Sequence, residues 1–214
     1  MKTLVIGANG QIGRHIVELL KNNSEHSVTA MVRKQEQVQK FEEQGVETVL
    51  ADLEDSVEKI AKAAEGFDAV IFTAGSGGHT GADKTILIDL DGAVKSVEAA
   101  EKAGVKRFVI VSAIGANNRE KWGDKIKHYY VAKHYADKAV EASGLTYTIV
   151  RPGGLLNEEG TGKVTAASEV ERGSIPREDV ANVVVASLEE ENTFNKGFDL
   201  ISGDTPIEDA VKSV

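Results

Sequence analysis

Three glycines at three-residue intervals near the N-terminus restrict what this chain can fold into more than any other feature. Gly7, Gly10 and Gly13 follow directly on an apolar run at residues 3–6, and a helical pattern begins at residue 11. A glycine permits a sharp turn off a strand, and it lets a ligand or a second backbone approach closely because it has no Cβ. The pattern predicts a strand, a tight turn and a helix whose first N–H groups point at a phosphate.

The loop between this strand and this helix is our candidate site for a pyrophosphate. We assign Gly7 to the turn, Gly10 to the approach of the pyrophosphate and Gly13 to close packing of the helix on the sheet. The spacing is GxxGxxG, whereas the best-known dinucleotide-binding fingerprint is GxGxxG, so a glycine-rich turn without a ligand is the alternative. The loop residues that we expect to contact a dinucleotide are Gly7, Asn9, Gly10, Gln11, Ile12 and Gly13.

Short apolar runs alternate with helical patterns along the rest of the chain. The predicted strands are 3–6, 28–32, 48–51, 69–73, 107–112, 147–151 and 198–202. The predicted helices are 11–22, 35–44, 57–64, 85–103 and 126–142. Strands of this length between helices predict right-handed βαβ units and a buried, mostly parallel sheet. We therefore expect an α/β, doubly wound Rossmann fold in one domain, residues 1–214, with ligands at the carboxyl ends of the strands.

The composition restricts the class of protein and its partners. With 41% hydrophobic residues the chain can build a core without disulfides. The net charge of −9 argues against nucleic acid or an anionic membrane as a partner. No apolar stretch reaches the ~18 residues of a membrane span, and the N-terminus enters a strand at once, which leaves no room for a signal peptide. We expect a cytoplasmic protein that is a monomer or a homodimer.

A metal site is not expected in this chain. There is no Cys to supply a thiolate, and the five His show no ligand spacing. His128 and His134 are six residues apart, which places them on different faces of the predicted helix.

A basic pair after the second predicted strand bears on which dinucleotide binds. An NAD-specific site usually has Asp or Glu about 20 residues past the glycines, where it bonds the ribose 2′-hydroxyl. Here the strand is followed by Arg33 and Lys34, and a guanidinium at this place can pair with a 2′-phosphate. Arg14, just after the last glycine, can join it. We expect NADP(H) in preference to NAD(H), and a solvated Arg–Lys pair is the alternative.

The turn after the third predicted strand is a candidate adenine contact. Asp52 and Leu53 can lie along the adenine, with Asp52 accepting a hydrogen bond from its exocyclic amine. Equally, an Asp in this turn can cap the next helix.

Two further turns follow predicted strands. Thr73, Ala74 and Gly75 end the fourth strand, where small residues let the backbone run beside a cofactor. Pro152 and Gly153 follow the sixth strand, where a rigid turn can support a nicotinamide.

The predicted helix at 126–142 carries the candidate acid–base group. Tyr129 and Lys133 are four residues apart and share a helix face. A nearby ammonium favours the phenolate and lowers the pKa of the Tyr, and the Lys can also bond the nicotinamide ribose. Tyr130 and Tyr135 have no Lys four residues later and are better explained by packing or surface exposure. Ser112, at the end of the fifth strand, can orient a carbonyl or hydroxyl oxygen.

These motifs occur in the same order in a known superfamily. They are GANGQIG at 7–13, ADL at 51–53, VKRFVIVSA at 105–113, Tyr129 with Lys133, and RPGGL at 151–155. The chain resembles the short-chain dehydrogenases/reductases, in the extended or atypical branch with the NAD(P)-dependent epimerases/dehydratases and the NmrA-like proteins. The resemblance implies that the glycine loop binds the pyrophosphate and that Tyr129 and Lys133 are the catalytic pair.

Three departures from the family pattern bear on catalysis. Extended members carry a substantial C-terminal substrate domain, whereas here residues 152–176 are the candidate lid or substrate wall. Ala113 and Ile114 stand where the family commonly has its catalytic Ser or Thr, which leaves Ser112 as a substitute. Asp89 stands where an Asn is common.

The function that these residues favour is an NADP(H)-dependent oxidoreductase acting on a small carbonyl, quinone-like or sugar-derived substrate. A non-catalytic NADP(H)-sensing protein that reports the redox state to a protein partner is the second hypothesis. Epimerisation of a nucleotide sugar by transient oxidation is the third.

Overall fold

The computed structural model describes residues 1–78 and 80–214 and contains one large sheet with helices on both faces. His79, one of the five histidines for which we expect no metal role, lies outside the described residues. The strands in chain order are β1 (Lys2–Ile6), β2 (Ser27–Val32), β3 (Glu47–Leu50), β4 (Ala69–Phe72), β5 (Arg107–Val111), β6 (Thr146–Pro152), β7 (Gly154–Leu156), β8 (Lys163–Ala167), β9 (Ser174–Pro176), β10 (Lys196–Ser202) and β11 (Thr205–Pro206).

The helices connect these strands on both faces of the sheet. They are α1 (Gln11–Lys21), α2 (Gln35–Glu42), α3 (Val57–Ala64), α4 (Ala82–Lys84), a π-helix (Thr85–Asp91), α5 (Gly92–Lys102), α6 (Lys127–Ala142), α7 (Arg177–Ala186) and α8 (Ile207–Lys212). Single 3₁₀ turns lie at Arg119–Lys121, Asp124–Ile126 and Glu191–Thr193. Within the described part of the chain, no helix has the length and apolar character that crossing a membrane requires.

The central sheet has the order β11-β8-β10-β6-β5-β4-β1-β2-β3. Strands β1 to β6 are all parallel, and β10 joins β6 in the same direction. Only the edge is antiparallel, where β8 pairs with β10 and with β11 among the described strands. The order of the first six strands, 3-2-1-4-5-6, is that of the doubly wound dinucleotide-binding fold, and it reverses direction between β1 and β4. The predicted fold class is confirmed.

Both faces of the sheet are buried, as a parallel sheet requires. Successive residues of β1 point to opposite faces, so that Val5 belongs to one apolar cluster and Leu4 and Ile6 to the other. The first cluster packs beneath α1, α2, α7 and α8, and the second packs beneath α3, α5 and α6. These two layers hold the parallel strands with their carboxyl ends at one edge of the sheet.

The predicted elements agree with the structure, with one exception among the helices. All seven predicted strands are present with bounds that differ by at most two residues. The helix predicted at 85–103 instead begins at Ala82 and is π-helical over Thr85–Asp91. Spacing alone cannot reveal this, because a π turn also buries one face of the helix.

Two helices were not predicted at all, and both follow residue 176. In α7 the run from Val180 to Ala186 is rich in β-branched residues, which is a composition typical of strands. Packing against α1 overrides that preference. The preceding region, 152–176, contains only the short strands β7, β8 and β9, as expected.

Candidate functional site

The predicted site residues gather at one edge of the sheet. Strands β1, β4 and β5 are in register with Ile6 opposite Phe72 and Phe72 opposite Ile110. Their carboxyl ends therefore lie side by side, and the loops that begin at Gly7, Thr73 and Ser112 start at the same edge. This edge includes the point between β1 and β4 where the strand order reverses, which is where doubly wound folds bind ligands.

The glycine loop lies directly against the turn after β4. Gly7 has φ +88°, a conformation that favours glycine, and a Cβ there would lie 2.5 Å from the backbone N of Ala74. A Cβ on Gly13 would overlap the carbonyl oxygen of Gly7. Gly13 thus allows close packing of α1 on its own loop, rather than on the sheet as we expected.

The N-terminus of α1 is open to an anion. Gly10 is the N-cap residue in an extended conformation, and no described side chain caps the helix or places an acid in its first turn. Gly10 and Gln11 are exposed, while Ile12 is buried and offers only its backbone. Asn9 accepts a hydrogen bond from Arg14, Nη2 to Oδ1 at 3.0 Å. Uncapped N–H groups at a helix start are the feature that binds phosphates in such loops.

The two cations after β2 differ in their contacts. The backbone N–H groups of Arg33 and Lys34 both donate to Oε1 of Gln37, at 3.1 and 3.2 Å, which fixes this turn. The Nζ of Lys34 lies 3.6 Å from Glu36. The guanidinium of Arg33 is exposed and has no hydrogen-bond or ion-pair partner within residues 1–78 and 80–214. Arg33 is therefore the cation of this pair that is free to bind a ligand.

The turn after β3 is stabilised by Asp52. Its Oδ1 accepts the N–H of Glu54 at 3.0 Å. The alternative that Asp52 caps α3 is wrong, because Ser56 is the N-cap and its Oγ accepts the N–H of Lys59 at 3.4 Å. Leu53 is buried in the apolar cluster beneath α3 and packs against Gly92.

Tyr129 and Lys133 lie together as their spacing predicts. The Nζ of Lys133 is 5.7 Å from the centroid of the Tyr129 ring. It donates to the carbonyl oxygen of Val111, at the end of β5, at 3.3 Å. Lys133 is buried, whereas Tyr129 is half-buried. The pair thus stands beside the end of β5, on the same sheet edge as the glycine loop.

Asp89 completes this group from the π-helix. Its Oδ1 lies 3.5 Å from Nζ of Lys133, and both side chains are buried. Its Oδ2 accepts the backbone N–H of Ser76 at 2.9 Å, which ties the π-helix to the loop after β4. In the sequence, Asp89 stands out only as a departure from the family pattern.

The pKa values in this group differ from our expectation. Burial raises the pKa of Tyr129 above its ordinary value of 10.0; the charge of Lys133 opposes this rise, whereas Asp89 adds to it. Burial also disfavours the ammonium of Lys133, but the attraction of Tyr129 and of the carboxylates outweighs it and raises the pKa of Lys133. Lys133 lowers the pKa of Tyr129 as we expected, but burial and Asp89 outweigh this effect, so the net shift is upward.

Ser112 does not present its hydroxyl at the surface. Its N–H donates to the carbonyl of Val150 at 2.7 Å. Its Oγ is buried beside Asp137 and has no hydrogen-bond partner among the described residues. Asp137 pairs with Arg151, Nε to Oδ2 at 2.8 Å, and both side chains are buried.

Sequence reasoning missed this buried pair. The available signal was that Asp137 lies four residues after Lys133 and continues its helix face. For Arg151, a charged residue that ends an apolar strand gave no indication of its partner.

The turn after β6 is closed by backbone contacts. The N–H of Gly153 donates to the carbonyl of Leu200 at 2.9 Å, and a Cβ on Gly153 would overlap the carbonyl oxygen of Gly173. The carbonyl of Pro152 accepts the N–H of Ile114 at 2.9 Å. Both residues are buried, so this turn holds the neighbouring loops in place.

A cavity of about 420 Å³ lies beside this turn. It is lined by residues from the loop after β5 and from the segment between β8 and β9, namely Ile114, Gly115, Lys121, Val170, Glu171 and Arg172. The two loops are joined by an ion pair between Lys121 and Glu169 and by a hydrogen bond from Arg172 to the carbonyl of Lys121. No cluster of His, Asp and Glu able to hold a metal ion occurs among the described residues.

Comparison with known proteins gives one family match. The sequence profile of the NAD(P)H-binding family matches residues 7–191. This span starts at the first glycine of the loop after β1 and contains every predicted site residue.

Similar proteins share both the sequence and the fold. YhfK of Bacillus subtilis strain 168, which bears the name uncharacterized sugar epimerase, is 63% identical over 214 residues, and the match covers 100% of both chains. A solved structure from Bacillus halodurans, assigned to the NAD-dependent epimerases/dehydratases, has a TM-score of 0.94 at 46% identity over 100% of both chains. ChuY of Escherichia coli O157:H7, an anaerobilin reductase, has a TM-score of 0.82 at 26% identity over 95% of this chain and 98% of ChuY.

Proposed function

Since this chain belongs to the NAD(P)H-binding family, we propose that it is an NADP(H)-dependent oxidoreductase acting on a small carbonyl, quinone-like or sugar-derived substrate. The observation that carries the proposal is the shared sheet edge of an open glycine loop and the Tyr129–Lys133 pair. A binding protein needs only the loop. A buried Lys beside a Tyr is the additional feature that proton transfer requires.

The dinucleotide fits the residues at this edge. The uncapped first turn of α1 supplies N–H groups for the pyrophosphate, and a side chain at Gly10 would stand where the phosphate approaches. Asp52 keeps its Oδ2 available for the adenine amine, and Thr73 with Ala74 lies alongside Gly7. When bound, the reduced nicotinamide supplies a hydride to the substrate carbon.

The preference for NADP(H) rests on Arg33. Its guanidinium is exposed without a protein partner in the described structure, and the residues that directly follow β2 are Arg33 and Lys34 rather than an acid that could bond a 2′-hydroxyl. Arg14 is held by Asn9 near the start of α1. Two guanidinium groups in this region favour a 2′-phosphate over a 2′-hydroxyl.

Tyr129 is the group that exchanges a proton with the substrate oxygen. Lys133 stands one helix turn away and stabilises the phenolate that forms. One wall of the cavity is formed by Ile114 and Gly115, which come shortly after Ser112 in the sequence. Its volume is in the range of small-ligand sites. Its second wall, Val170 to Arg172, belongs to the region 152–176 that we assign to substrate binding.

Fluorescence titration with NADPH and NADH tests the cofactor site. We expect NADPH to bind more tightly than NADH, and Arg33→Ala to weaken NADPH roughly 10- to 100-fold because it removes a charge-assisted contact. NADH affinity should not change in this variant. Lys40→Ala removes a cation from the exposed side of α2 and is the matched control. Equal affinity for both nucleotides would contradict the preference, and binding of neither would contradict the site.

Turnover in Tyr129→Phe tests the reaction. With a panel of small aldehydes, ketones and quinones, we expect kcat to fall by about 100-fold or more while NADPH affinity is retained. Tyr135→Phe is the control, since Tyr135 lies on the same helix but is 49% exposed. Unchanged turnover in Tyr129→Phe would contradict its role. NADPH binding without turnover across the panel would favour the NADP(H)-sensing alternative, which the enclosed hydroxyl of Ser112 supports.

A further inference from the structure

The buried pair of Asp89 and Lys133 carries an inference about the direction of the reaction. Asp89 is 2% exposed and Lys133 is 4% exposed, and their charged atoms lie 3.5 Å apart. One oxygen of Asp89 is used by the N–H of Ser76, which a neutral amide oxygen could bind equally well. The other oxygen faces Lys133, and there the negative charge itself matters.

This inference rests on the proposed function: we propose that Asp89 is a positioning residue that keeps Tyr129 in the protonated form, which reduction of a carbonyl requires. By pairing with Lys133, it offsets the positive charge that would otherwise draw the proton off Tyr129. Tyr129 therefore rests as a neutral phenol, which is the form that donates a proton.

The charges around Tyr129 support this assignment. Lys133 and Asp137 follow it on α6, and Asp89 faces it from the π-helix. The ring of Tyr130 lies edge-on at 6.1 Å between centroids. The cations are Lys133 and Arg151; Arg151 pairs with Asp137, whereas Asp89 is the carboxylate that pairs with Lys133 itself. Lys133, Asp89 and Asp137 are buried, so their charges are weakly screened and Asp89 offsets Lys133 most directly.

The resting phenol suits one direction of the reaction. As the substrate carbon gains the hydride from NADPH, its oxygen takes the electron pair of the C=O bond and the proton of the Tyr129 Oη. The phenolate left behind is stabilised by Lys133 and regains a proton from solvent. Oxidation of an alcohol must begin with the phenolate, so Tyr129 must first lose its proton. An epimerisation that starts with oxidation meets the same barrier at neutral pH.

Titration of the tyrosine absorbance near 295 nm in nucleotide-free protein tests the inference. The difference between wild type and Tyr129→Phe isolates Tyr129 from the other three tyrosines. We expect the wild-type midpoint above pH 10. In Asp89→Asn the midpoint should be lower by about one pH unit or more, because the carboxylate that disfavours the phenolate has been removed. A Tyr129→Phe reference made in the Asp89→Asn background isolates the same group there. Circular dichroism at each pH confirms that the proteins stay folded.

The control is the same Asp-to-Asn substitution at a position away from Lys133. Asp91→Asn lies on the same helical segment but alters a partly exposed pair with Lys95, at 2.9 Å, so the Tyr129 midpoint should not move. The proposal is overturned if Asp89→Asn leaves the midpoint unchanged or raises it, or if both variants lower it equally. It is also overturned if the Tyr129 midpoint in the wild type lies below pH 9. This outcome can be measured without any variant at Asp89.

A pH profile extends the test to turnover. Reduction by wild type should stay level from pH 7 to above pH 9, and in Asp89→Asn it should decline at a lower pH because the phenol is lost earlier. A profile that does not shift in Asp89→Asn overturns the proposal. The absorbance titration needs no nucleotide, so failure to bind NADPH would overturn the proposed function and leave the result on Asp89 standing.

Discussion

Two of the three glycines in the loop after β1 are required by the loop itself, and the third is not. A Cβ on Gly7 or Gly13 would overlap neighbouring backbone, so glycine is needed at both positions with or without a ligand. At Gly10 a Cβ would meet only the carbonyl oxygen of Gly7, at 3.1 Å, and the residue is exposed. That contact is tight but does not overlap, so the fold requires glycine least strictly at Gly10, where we propose that the pyrophosphate approaches the start of α1.

Single buried charges link the site to the sheet. Arg151 is the second-last residue of β6 and pairs with Asp137 of α6, and its Nη2 lies 3.7 Å from Glu141. Burial raises the pKa of Asp137 even though Arg151 opposes the rise. Removing one partner of such a pair leaves an uncompensated buried charge, which is strongly destabilising. The pair thus holds α6, and with it Tyr129 and Lys133, in a fixed place above β6.

At the scale of elements, the position of the phosphate loop depends on a helix late in the chain. Helix α7 packs against α1, with Val183 and Val184 fully buried in the cluster that also contains Ile16. Since α1 begins at the glycine loop, this contact supports the loop from the face of the sheet that both helices cover.

Val184→Ala measures this contact. Removing two methyl groups from a fully buried site should lower the free energy of unfolding by roughly 1–3 kcal/mol, because it leaves a cavity. Val185→Ala is the matched control, since Val185 is only half-buried on the same helix and should cost less. Urea denaturation followed by circular dichroism compares the two. Equal losses in both variants would contradict the assigned packing.

The elements that carry the site could be predicted, and those that support it could not. The periodicity of the apolar residues and the spacing of the motifs located β1, α1 and α6 to within two residues, because each element has one clear apolar face or run. Helix α7 was missed because its β-branched run resembles a strand, and the π-helix was missed because its pattern resembles an α-helix. The contact of Asp89 with Lys133 joins residues 44 positions apart, and no local pattern specifies such a contact.

At the scale of the whole molecule, the strand order explains why distant motifs form one site. The glycine loop lies about 100 residues or more before Ser112 and Tyr129 in the chain, yet β1, β4 and β5 are neighbours in the sheet. In doubly wound folds a reversal of strand order opens a crevice, and here the loop after β1, the turn after β4 and α6 lie near the reversal between β1 and β4. Binding in that crevice should therefore stabilise the entire sheet.

Thermal unfolding with Gly10→Asp tests that linkage. NADPH at 100 times its Kd should stabilise wild type by about 2.7 kcal/mol, or roughly 5–10 °C in Tm for a domain of this size. Asp is favoured at a helix N-cap, so the variant without nucleotide should melt at the wild-type temperature or above it. Its carboxylate repels the pyrophosphate, so NADPH should no longer raise the Tm. Gly10→Asn adds a side chain of the same shape without the charge and should keep more of the shift. A full NADPH shift in Gly10→Asp would mean that the pyrophosphate does not bind at the start of α1.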